Sequence, residues 1–216
     1  MFAYEALVRG PEGQGAASVL GRITPENRYA FDQSCRRRAI DTACKAGLIA
    51  SGAKLSINFI PGAVYDPKAC IKLTLVTARR AALPTDRLIF EVTEGEPVRD
   101  HAHLNRIFQE YRRHGFSTAI DDFGAGYAGL NLLADFQPEV IKIDMDMIRN
   151  IDTNRVRQVL VSAIVRACRD LSVEVIAEGI ETEAEMTTLR EMGVSLFQGY
   201  FLARPAFERL PEVNLA

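Results

Sequence analysis

The feature that most constrains this chain is a series of short apolar runs, each ending in a charged or amide side chain. Segments long enough to form a helix separate the runs. In a (β/α) barrel the carboxyl ends of the parallel strands lie at one rim, so side chains that follow the strands meet there. The pattern therefore predicts an α/β fold of the barrel type with an active site at that rim. The side chains are Glu5, Asn58, Glu91, Asp121, Asp122, Lys142, Glu178, Glu181 and Gln198.

Six of these side chains are carboxylates, which need compensating positive charge when they lie close together. At an effective dielectric near 20, two such charges about 4 Å apart repel each other by roughly 4 kcal/mol. Divalent metal ions would offset this repulsion. The ligand atoms are all oxygens, including the neutral amide oxygen of Asn58, which favours Mg²⁺ or Mn²⁺ over zinc. His101, His103 and His114 show no metal-binding spacing, and we expect them to be solvated helix residues.

The composition is typical of one folded domain over residues 1–216. Of the 216 residues 48% are hydrophobic, and the net charge is −2. So small a charge argues against a nucleic-acid polymer or a membrane as partner, and no apolar stretch approaches the ~20 residues that span a bilayer. The first residues lack the features of a signal peptide. The cysteines form no Cys-x-x-Cys pair and are expected to fill the core, which favours a cytoplasmic location. They are Cys35, Cys44, Cys70 and Cys168.

Seven runs have the length and composition of β-strands, and they alternate with helical patterns. This alternation predicts a parallel sheet with helices outside it. An eighth strand, if the barrel has one, would lie before Met1. Gly10–Gly21 is predicted to be a surface loop, and Arg36-Arg37-Arg38 a solvated helix face. The predicted strands are Phe2–Arg9, Leu55–Phe59, Leu88–Thr93, Ser117–Asp121, Val140–Asp144, Val173–Ala177 and Leu196–Phe201. The predicted helices are Asp100–Arg113, Val156–Cys168 and Glu183–Met192, with N-caps at Asp152 and Thr182 and helix stops at Gly115 and Gly193.

Asp121 and Asp122 form the most informative pair. Adjacent strand residues face opposite sides, but Gly124, Gly126 and Gly129 are expected to end the strand and free the backbone. Both carboxylates could then reach one site and hold two ions, an arrangement typical of in-line displacement at phosphorus. Taken singly, either aspartate is more often a turn-forming or helix-capping residue.

The other candidates each have a functional and a structural interpretation. Alternation along the first strand is expected to place Glu5, Leu7 and Arg9 on one face. An acid and a base there would suit a metal ion beside a phosphate. A surface ion pair is the alternative interpretation. Lys142 either orients an attacking water and offsets developing charge or extends to the rim as a solvated lysine. Gln198 either binds water or substrate or is a satisfied polar residue at a strand end.

A competing motif lies in the same segment. Gly124-x-Gly126-x-x-Gly129 follows a strand, and Asp144 ends the next one, as in the fingerprint of a dinucleotide-binding oxidoreductase. Asp121 and Asp122 would repel a pyrophosphate there, and this interpretation leaves the acids of the other strands unexplained. Asp122-Phe123-Gly124 also matches a protein-kinase motif, but the companion kinase motifs are missing from the sequence.

Seven ordered motifs together resemble the EAL-domain family over nearly the whole chain. These domains hydrolyse the bacterial second messenger cyclic di-GMP to linear pGpG. The resemblance implies a TIM-like (β/α) barrel of the EAL type and a metal-dependent phosphodiesterase. The motifs are Glu5-Ala6-Leu7-Val8-Arg9, the Asn58 strand, Glu91-Val92-Thr93-Glu94, Asp121-Asp122-Phe123-Gly124, Lys142-Ile143-Asp144, Glu178-Gly179-Ile180-Glu181-Thr182 and Gln198-Gly199-Tyr200.

The resemblance implies a role for each matching residue: metal ligation, activation of water, contact with the nucleotide, or anchoring of the loop after Asp122. The implied ligands of the first Mg²⁺ or Mn²⁺ ion are Glu5, Asn58, Glu91 and Asp121, and Asp121 bridges to a second ion completed by Asp122 and Glu178. The implied catalytic residues are Glu5, Lys142, Glu178 and Gln198. Those on the substrate side are Leu7, Arg9, Asp144 and Glu181, and Glu94 is the anchor of the loop.

The family normally has a further strand before the Glu-Ala-Leu motif, and this chain starts too late to include it. Relatives resemble homodimers, so we expect a homodimer, with a possible upstream sensory domain or partner protein. Ca²⁺ is expected to inhibit, because its larger and looser coordination places water poorly. The alternative function is a non-catalytic cyclic di-GMP receptor or a protein-interaction module.

Overall fold

The structure is a computed structural model that describes residues 1–95, 101–126 and 129–214. Its contacts divide the chain into two compact units. The first comprises Met1–Val92, the described part of Val98–Ser117, and Phe207–Leu210. The second comprises the described parts of Thr93–Pro97, Thr118–Ala206 and Pro211–Ala216. The single domain over residues 1–216 stays a prediction.

In its described residues, the first unit has three parallel strands in chain order, together with five helices. Glu5 lies opposite Ser56 in the first strand pair, and Asn58 lies opposite Glu91 in the second, so site candidates lie side by side. Two 3₁₀ turns, Pro61–Ala63 and Thr85–Arg87, precede α4 and β3. The elements are β1 (Ala3–Ala6), α1 (Ala16–Leu20), α2 (Arg28–Lys45), α3 (Leu48–Ser51), β2 (Lys54–Asn58), α4 (Pro67–Arg80), β3 (Leu88–Thr93) and α5 (His101–Arg113).

The second unit, as far as it is described, has four parallel strands in chain order and four helices. Thr182 caps α9 in a capping box: its side chain accepts the N–H of Glu185, whose carboxylate accepts the N–H of Thr182. This confirms the predicted cap. The elements are β4 (Ser117–Phe123), α6 (Gly129–Phe136), β5 (Val140–Ile143), α7 (Met145–Ile148), α8 (Arg155–Asp170), β6 (Glu174–Ala177), α9 (Glu183–Glu191) and β7 (Leu196–Phe197).

The seven strands among the described residues agree in number and order with the sequence analysis, but β1 is shorter than predicted. It ends at Ala6, so Leu7 and Arg9 lie outside it. The expectation that alternation places these two side chains on the face of Glu5 therefore stays a prediction. Both are exposed, and the Arg9 guanidinium donates to the neighbouring carbonyl of Val8 at 2.7 Å.

Two other local predictions are wrong. Gly10–Gly21 is not a simple loop, since it contains α1, none of whose residues is buried. The N-cap of α8 is Asn154 rather than Asp152, because the Asn154 side chain accepts the N–H of Arg157. The predicted start of a helix at Asp100 lies outside the described residues.

The triple-arginine segment in α2 is not a uniformly solvated face. Arg37 and Arg38 are exposed, but the Arg36 side chain is 1% exposed and pairs with Asp32. All four cysteines are free thiols, and Cys70 and Cys168 are buried, as expected for core residues. No helix of the described residues has the length and apolarity that a bilayer crossing requires.

Candidate metal centre and active site

The first unit brings together three predicted metal ligands, one from each strand: Glu5, Asn58 and Glu91. Carboxylate oxygens of Glu5 and Glu91 lie within 4.8 Å of each other. Asn58 Nδ2 donates to Glu5 Oε1 at 2.9 Å, and Ser56 Oγ donates to Glu91 Oε1. Glu91 is 1% exposed. A buried carboxylate beside a second one needs a cation or several donors, so this cluster suits a divalent ion.

In the second unit, a β-bulge lets two adjacent aspartates serve one site. Ile120 pairs with Ile141 and Phe123 with Ile143, so Asp121 and Asp122 together stand opposite the single residue Lys142. Asp122 has φ +54°, a left-handed conformation that costs energy for a residue with a Cβ. A bulge turns the extra residue out of strand alternation, which explains why both carboxylates reach the same place.

This corrects the predicted mechanism of that convergence. Glycines were expected to end the strand at Asp121, whereas β4 continues through Phe123. The outcome is nevertheless the expected one, because oxygens of Asp121, Asp122 and Glu178 all lie within 4.8 Å of one another. Glu178 follows β6, and its N–H donates to the carbonyl of Ile143 at 3.1 Å.

Lys142 is the cation of the second cluster. Its ammonium lies 3.0 Å from Asp121 Oδ1 and 2.8 Å from Glu178 Oε1, and the residue is 1% exposed. The alternative that Lys142 extends into solvent is therefore wrong. A buried ammonium is stable only with paired carboxylates, and here it joins the ends of β4 and β6.

The charge of this cluster suits an added cation. The cluster comprises three carboxylates, and one ammonium pairs with two of them, which leaves a formal net charge of −2 among these four side chains. Within the described part of the chain, no donor is aligned for a hydrogen bond with the buried Asp121 Oδ1, although Lys142 Nζ is near. An oxygen-only donor set with negative charge is what Mg²⁺ or Mn²⁺ prefers. No histidine belongs to either acidic cluster among the described residues.

The expectation that all three histidines are solvated is wrong for two of them. His101 is exposed as expected, but His103 and His114 are half-buried. A ring nitrogen of His114 lies 3.2 Å from Glu110 Oε1, and one of His103 lies 2.5 Å from the carbonyl of Val64. Both rings therefore have partners within the protein.

Glu94 occupies the glycine motif that the sequence suggested for a dinucleotide. Its carboxylate accepts the N–H groups of Gly124 and Gly129, each at 2.7 Å. A Cβ at Gly126 would come 3.0 Å from Glu94 Oε1, so glycine allows the carboxylate to approach. A pyrophosphate would need these same N–H groups at the start of α6. The carboxylate argues against dinucleotide binding and agrees with the loop-anchoring role. Positions 127 and 128 lie outside the described residues.

The remaining predicted residues have mainly local partners in the structure. Asp144 caps α7 by accepting the N–H of Asp146 at 2.8 Å. Glu181 forms a two-point ion pair with Arg149, at 2.6 and 3.0 Å. The backbone of Gln198 pairs with Ala177 and Ile180, which places it beside the end of β6. Their predicted roles toward substrate or water stay predictions.

Glu185 is an organising residue that the sequence analysis did not identify as such. Its carboxylate accepts the N–H groups of Asn150, Glu181 and Thr182 at 2.9–3.2 Å. Burial raises its pKa, but these backbone hydrogen bonds outweigh burial and hold the pKa below its ordinary value. The residue therefore ties the segment after α7 to the segment that follows Glu178. Only the capping-box spacing Thr182-x-x-Glu185 gave a sequence signal for it.

Comparison with known proteins identifies the family. The model of the EAL domain matches residues 1–205. The chain is 30% identical over 213 residues to the blue light- and temperature-regulated antirepressor BluF of Escherichia coli, covering 99% of this chain and 52% of that protein. It is 36% identical over 217 residues to the bifunctional diguanylate cyclase/cyclic di-GMP phosphodiesterase MucR of Pseudomonas aeruginosa, covering 95% and 31%. The chain thus spans about half or less of these relatives.

Solved structures give the same result for the fold. A standalone versatile EAL protein from Vibrio cholerae in its c-di-GMP-bound form has a TM-score of 0.93 and 50% identity, over 99% of this chain and 89% of that one. The manganese/cy-diGMP complex of Klebsiella pneumoniae BlrP1 has a TM-score of 0.90 and 35% identity, over 98% and 53%. These similarities confirm the predicted TIM-like α/β fold. With the family match over residues 1–205, they establish that the chain belongs to the EAL domain family.

Proposed function

We propose that this protein is a divalent-metal-dependent phosphodiesterase that hydrolyses cyclic di-GMP to linear pGpG. The observation that carries the proposal is the cluster of Asp121, Asp122 and Glu178, whose oxygens lie within 4.8 Å of one another, with the buried ammonium of Lys142 paired to Asp121 and Glu178. An oxygen cluster of this kind suits phosphoryl chemistry assisted by two ions. Relatives named as cyclic di-GMP phosphodiesterases support the substrate.

Each unit supplies one set of metal ligands. Glu5, Asn58 and Glu91 would hold one Mg²⁺ or Mn²⁺ ion, and the trio of the second unit would hold another. When bound, the ions would neutralise the phosphate and lower the pKa of water toward 7. The bridging role of Asp121 and inhibition by Ca²⁺ stay predictions.

The reaction exchanges one bond to phosphorus for another. The oxygen of water attacks in line, the bond to the 3′-oxygen breaks, and the proton that water loses ends on the leaving 3′-oxygen. Lys142 would orient that water, a role supported by its ammonium, which lies between two carboxylates of the site. Glu94 holds the backbone after Asp122, and so preserves the conformation of the bulge.

The primary test is a chromatographic assay of cyclic di-GMP incubated with the protein and Mn²⁺. Wild type should yield linear pGpG, and Glu5→Ala and Glu178→Gln should not. Glu174→Gln is the matched control, because Glu174 is an exposed glutamate at the start of β6, the strand that Glu178 follows. Intact substrate with the wild type, or turnover by Glu178→Gln, would contradict the proposal.

A receptor or protein-interaction module is the second candidate function. It is favoured by the similarity to BluF, which is named an antirepressor rather than an enzyme. Equilibrium dialysis with cyclic di-GMP in EDTA, beside the turnover assay, separates the two. Binding without turnover in Mn²⁺ would support the receptor.

A homodimer is proposed from the outer face of α8. Val156, Val159 and Leu160 are 68, 51 and 49% exposed, and their spacing forms one apolar stripe opposite the buried Val161 and Val165. A second copy of the chain would cover it. Light scattering should report a dimer for the wild type and a monomer for Leu160→Glu.

A further inference from the structure

A buried cation in the first unit lies close to the sequence neighbours of two candidate metal ligands. Arg36, on α2, is 1% exposed, and its Nε lies 2.8 Å from Asp32 Oδ2. Its Nη1 donates to the hydroxyl of Tyr111 at 2.6 Å. The guanidinium carbon lies 5.0–5.6 Å from the ring centres of Phe59, Phe90 and Tyr111. We call these five side chains the arginine cluster.

Two members of the cluster are the sequence neighbours of metal-ligand candidates. Phe59 follows Asn58, and Phe90 precedes Glu91. The N–H of Phe59 donates to the carbonyl of Glu91 at 3.0 Å, so the two strand ends are already joined there. The guanidinium packs on both rings at once. Arg36 therefore contacts the residues adjacent to both Asn58 and Glu91.

Asp32 makes a second connection to the same place. Its Oδ1 accepts the N–H of Ile60 at 3.0 Å, two residues after Asn58. The other carboxylate oxygen faces Arg36 and also accepts from Gln33 Nε2 at 3.2 Å. The ion pair thus links helix α2 to the chain that leaves β2.

We infer that the Asp32–Arg36 pair is a positioning device that sets the spacing of Asn58 and Glu91 for a divalent ion. The inference rests on the proposed metal role of those two residues. A buried ion pair is weak evidence for stability alone, since well-packed apolar replacements often do as well. The guanidinium is suited to this task, because it pairs with the Asp32 carboxylate and donates to the Tyr111 hydroxyl while it lies close to three aromatic rings.

The test measures Mn²⁺ affinity in the full-length chain by electron paramagnetic resonance and calorimetry, without nucleotide. The main variant, Asp32→Leu with Arg36→Met, replaces both charges together and leaves neither partner unpaired. Arg36→Lys keeps the charge but loses the planar fork. Ile40→Ala is the matched control, because Ile40 lies one turn further along α2, is fully buried and is not a member of the arginine cluster.

We expect the double variant and Arg36→Lys to bind Mn²⁺ about 10–100-fold more weakly, which is typical when groups that orient metal ligands are removed. Ile40→Ala should melt earlier but bind Mn²⁺ as the wild type does. Should the double variant fail to fold, Tyr111→Phe replaces it, since it keeps the ring and removes only the partner of Nη1. The expected result for Tyr111→Phe is weaker Mn²⁺ binding in the same direction.

The outcomes separate this inference from the proposed function. A wild type that binds no Mn²⁺ overturns both. A wild type that binds Mn²⁺, with a folded double variant or Tyr111→Phe of equal affinity, overturns the positioning role alone. Equal weakening in Ile40→Ala also overturns it, because the effect would then follow from lost stability. Full affinity in Arg36→Lys would show that charge suffices and would overturn the argument from the guanidinium plane.

Discussion

Replacing Asp121 by asparagine should stabilise the metal-free protein while removing much of its affinity for Mn²⁺. Within the second unit, the change removes one attraction and two repulsions. Lys142 Nζ lies 3.0 Å from Asp121 Oδ1, an attraction of about 5.5 kcal/mol at an effective dielectric of ~20. Oxygens of Asp122 and Glu178 lie within 4.8 Å of Asp121, and each repulsion is then at least about 3.5 kcal/mol.

The two lost repulsions exceed the lost attraction by about 1.5 kcal/mol. For a chain of this length, that corresponds to a rise in melting temperature of about 3–6 °C. The sign reverses when metal is present, because the ion binds the wild-type carboxylate and stabilises only the state that binds it. Added Mn²⁺ should therefore raise the melting temperature of the wild type clearly and that of Asp121→Asn little.

The assay is thermal melting in EDTA and in Mn²⁺, with urea unfolding to obtain the free energy. Asp170→Asn is the control, because Asp170 is an exposed residue at the end of α8. A variant that melts below the wild type in EDTA would refute the reasoning, since the ion pair with Lys142 would then outweigh the repulsions. If added Mn²⁺ leaves the melting temperature of the wild type unchanged, the proposed metal cluster itself is refuted.

Three further predictions follow from single contacts. Glu94→Gln should lower the free energy of unfolding by about 1–3 kcal/mol, because Gly124 and Gly129 donate to different carboxylate oxygens and an amide replaces one of these acceptors with a donor. Limited proteolysis should cut the glycine motif faster, and the exposed Glu191→Gln should change neither. Backbone hydrogen bonds hold the pKa of Glu185 below its ordinary value despite burial, so the stabilisation from this carboxylate is complete above the unfolded-state pKa and is lost as the pH falls through the lower folded-state pKa. The free energy of unfolding, measured in urea, should therefore fall less steeply between pH 6 and pH 3 for Glu185→Gln than for the wild type. An equally steep fall in both would contradict the lowered pKa of Glu185. Burial raises the pKa of Cys35 and of Cys168 to about 11. Both thiols should therefore react far more slowly with an aromatic disulfide at pH 8 in the native protein than in urea. Equal reaction rates in the two conditions would show that the thiols are accessible to solvent in the native protein.

The strand pattern predicted the order of elements and most of the site, because apolar runs and the residues that end them are local properties of the chain. Asn58 ends its strand and Glu178 follows its strand, as expected, whereas Glu91 lies two residues before the end of β3. Glu5 was identified with equal ease, but the length of its strand was not. Leu7 and Arg9 continue the alternating pattern, yet β1 stops at Ala6. Alternation alone does not show where strand pairing ends.

Charge patterns were the least reliable guide. Arg36 belongs to three consecutive arginines, and the sequence offered no reason to separate it from the exposed Arg37 and Arg38. Its burial depends on Asp32 one turn earlier and on three aromatic rings: Phe59 just after β2, Phe90 in β3 and Tyr111 in α5. The rings are far away in the sequence, so a pattern of neighbours could not reveal them.

By itself, the sequence determined the alternation of strands and helices and the identity of the acids, because periodicity and residue type are written along the chain. Only the tertiary structure decided how those acids are arranged. The bulge in β4 brings Asp121 and Asp122 together, Lys142 is buried between Asp121 and Glu178, and Glu94 fills a glycine motif that could have held a phosphate. Each depends on strand pairing or on contacts between distant segments. These contacts form only on folding, when water is excluded and a buried charge is costly unless it is paired.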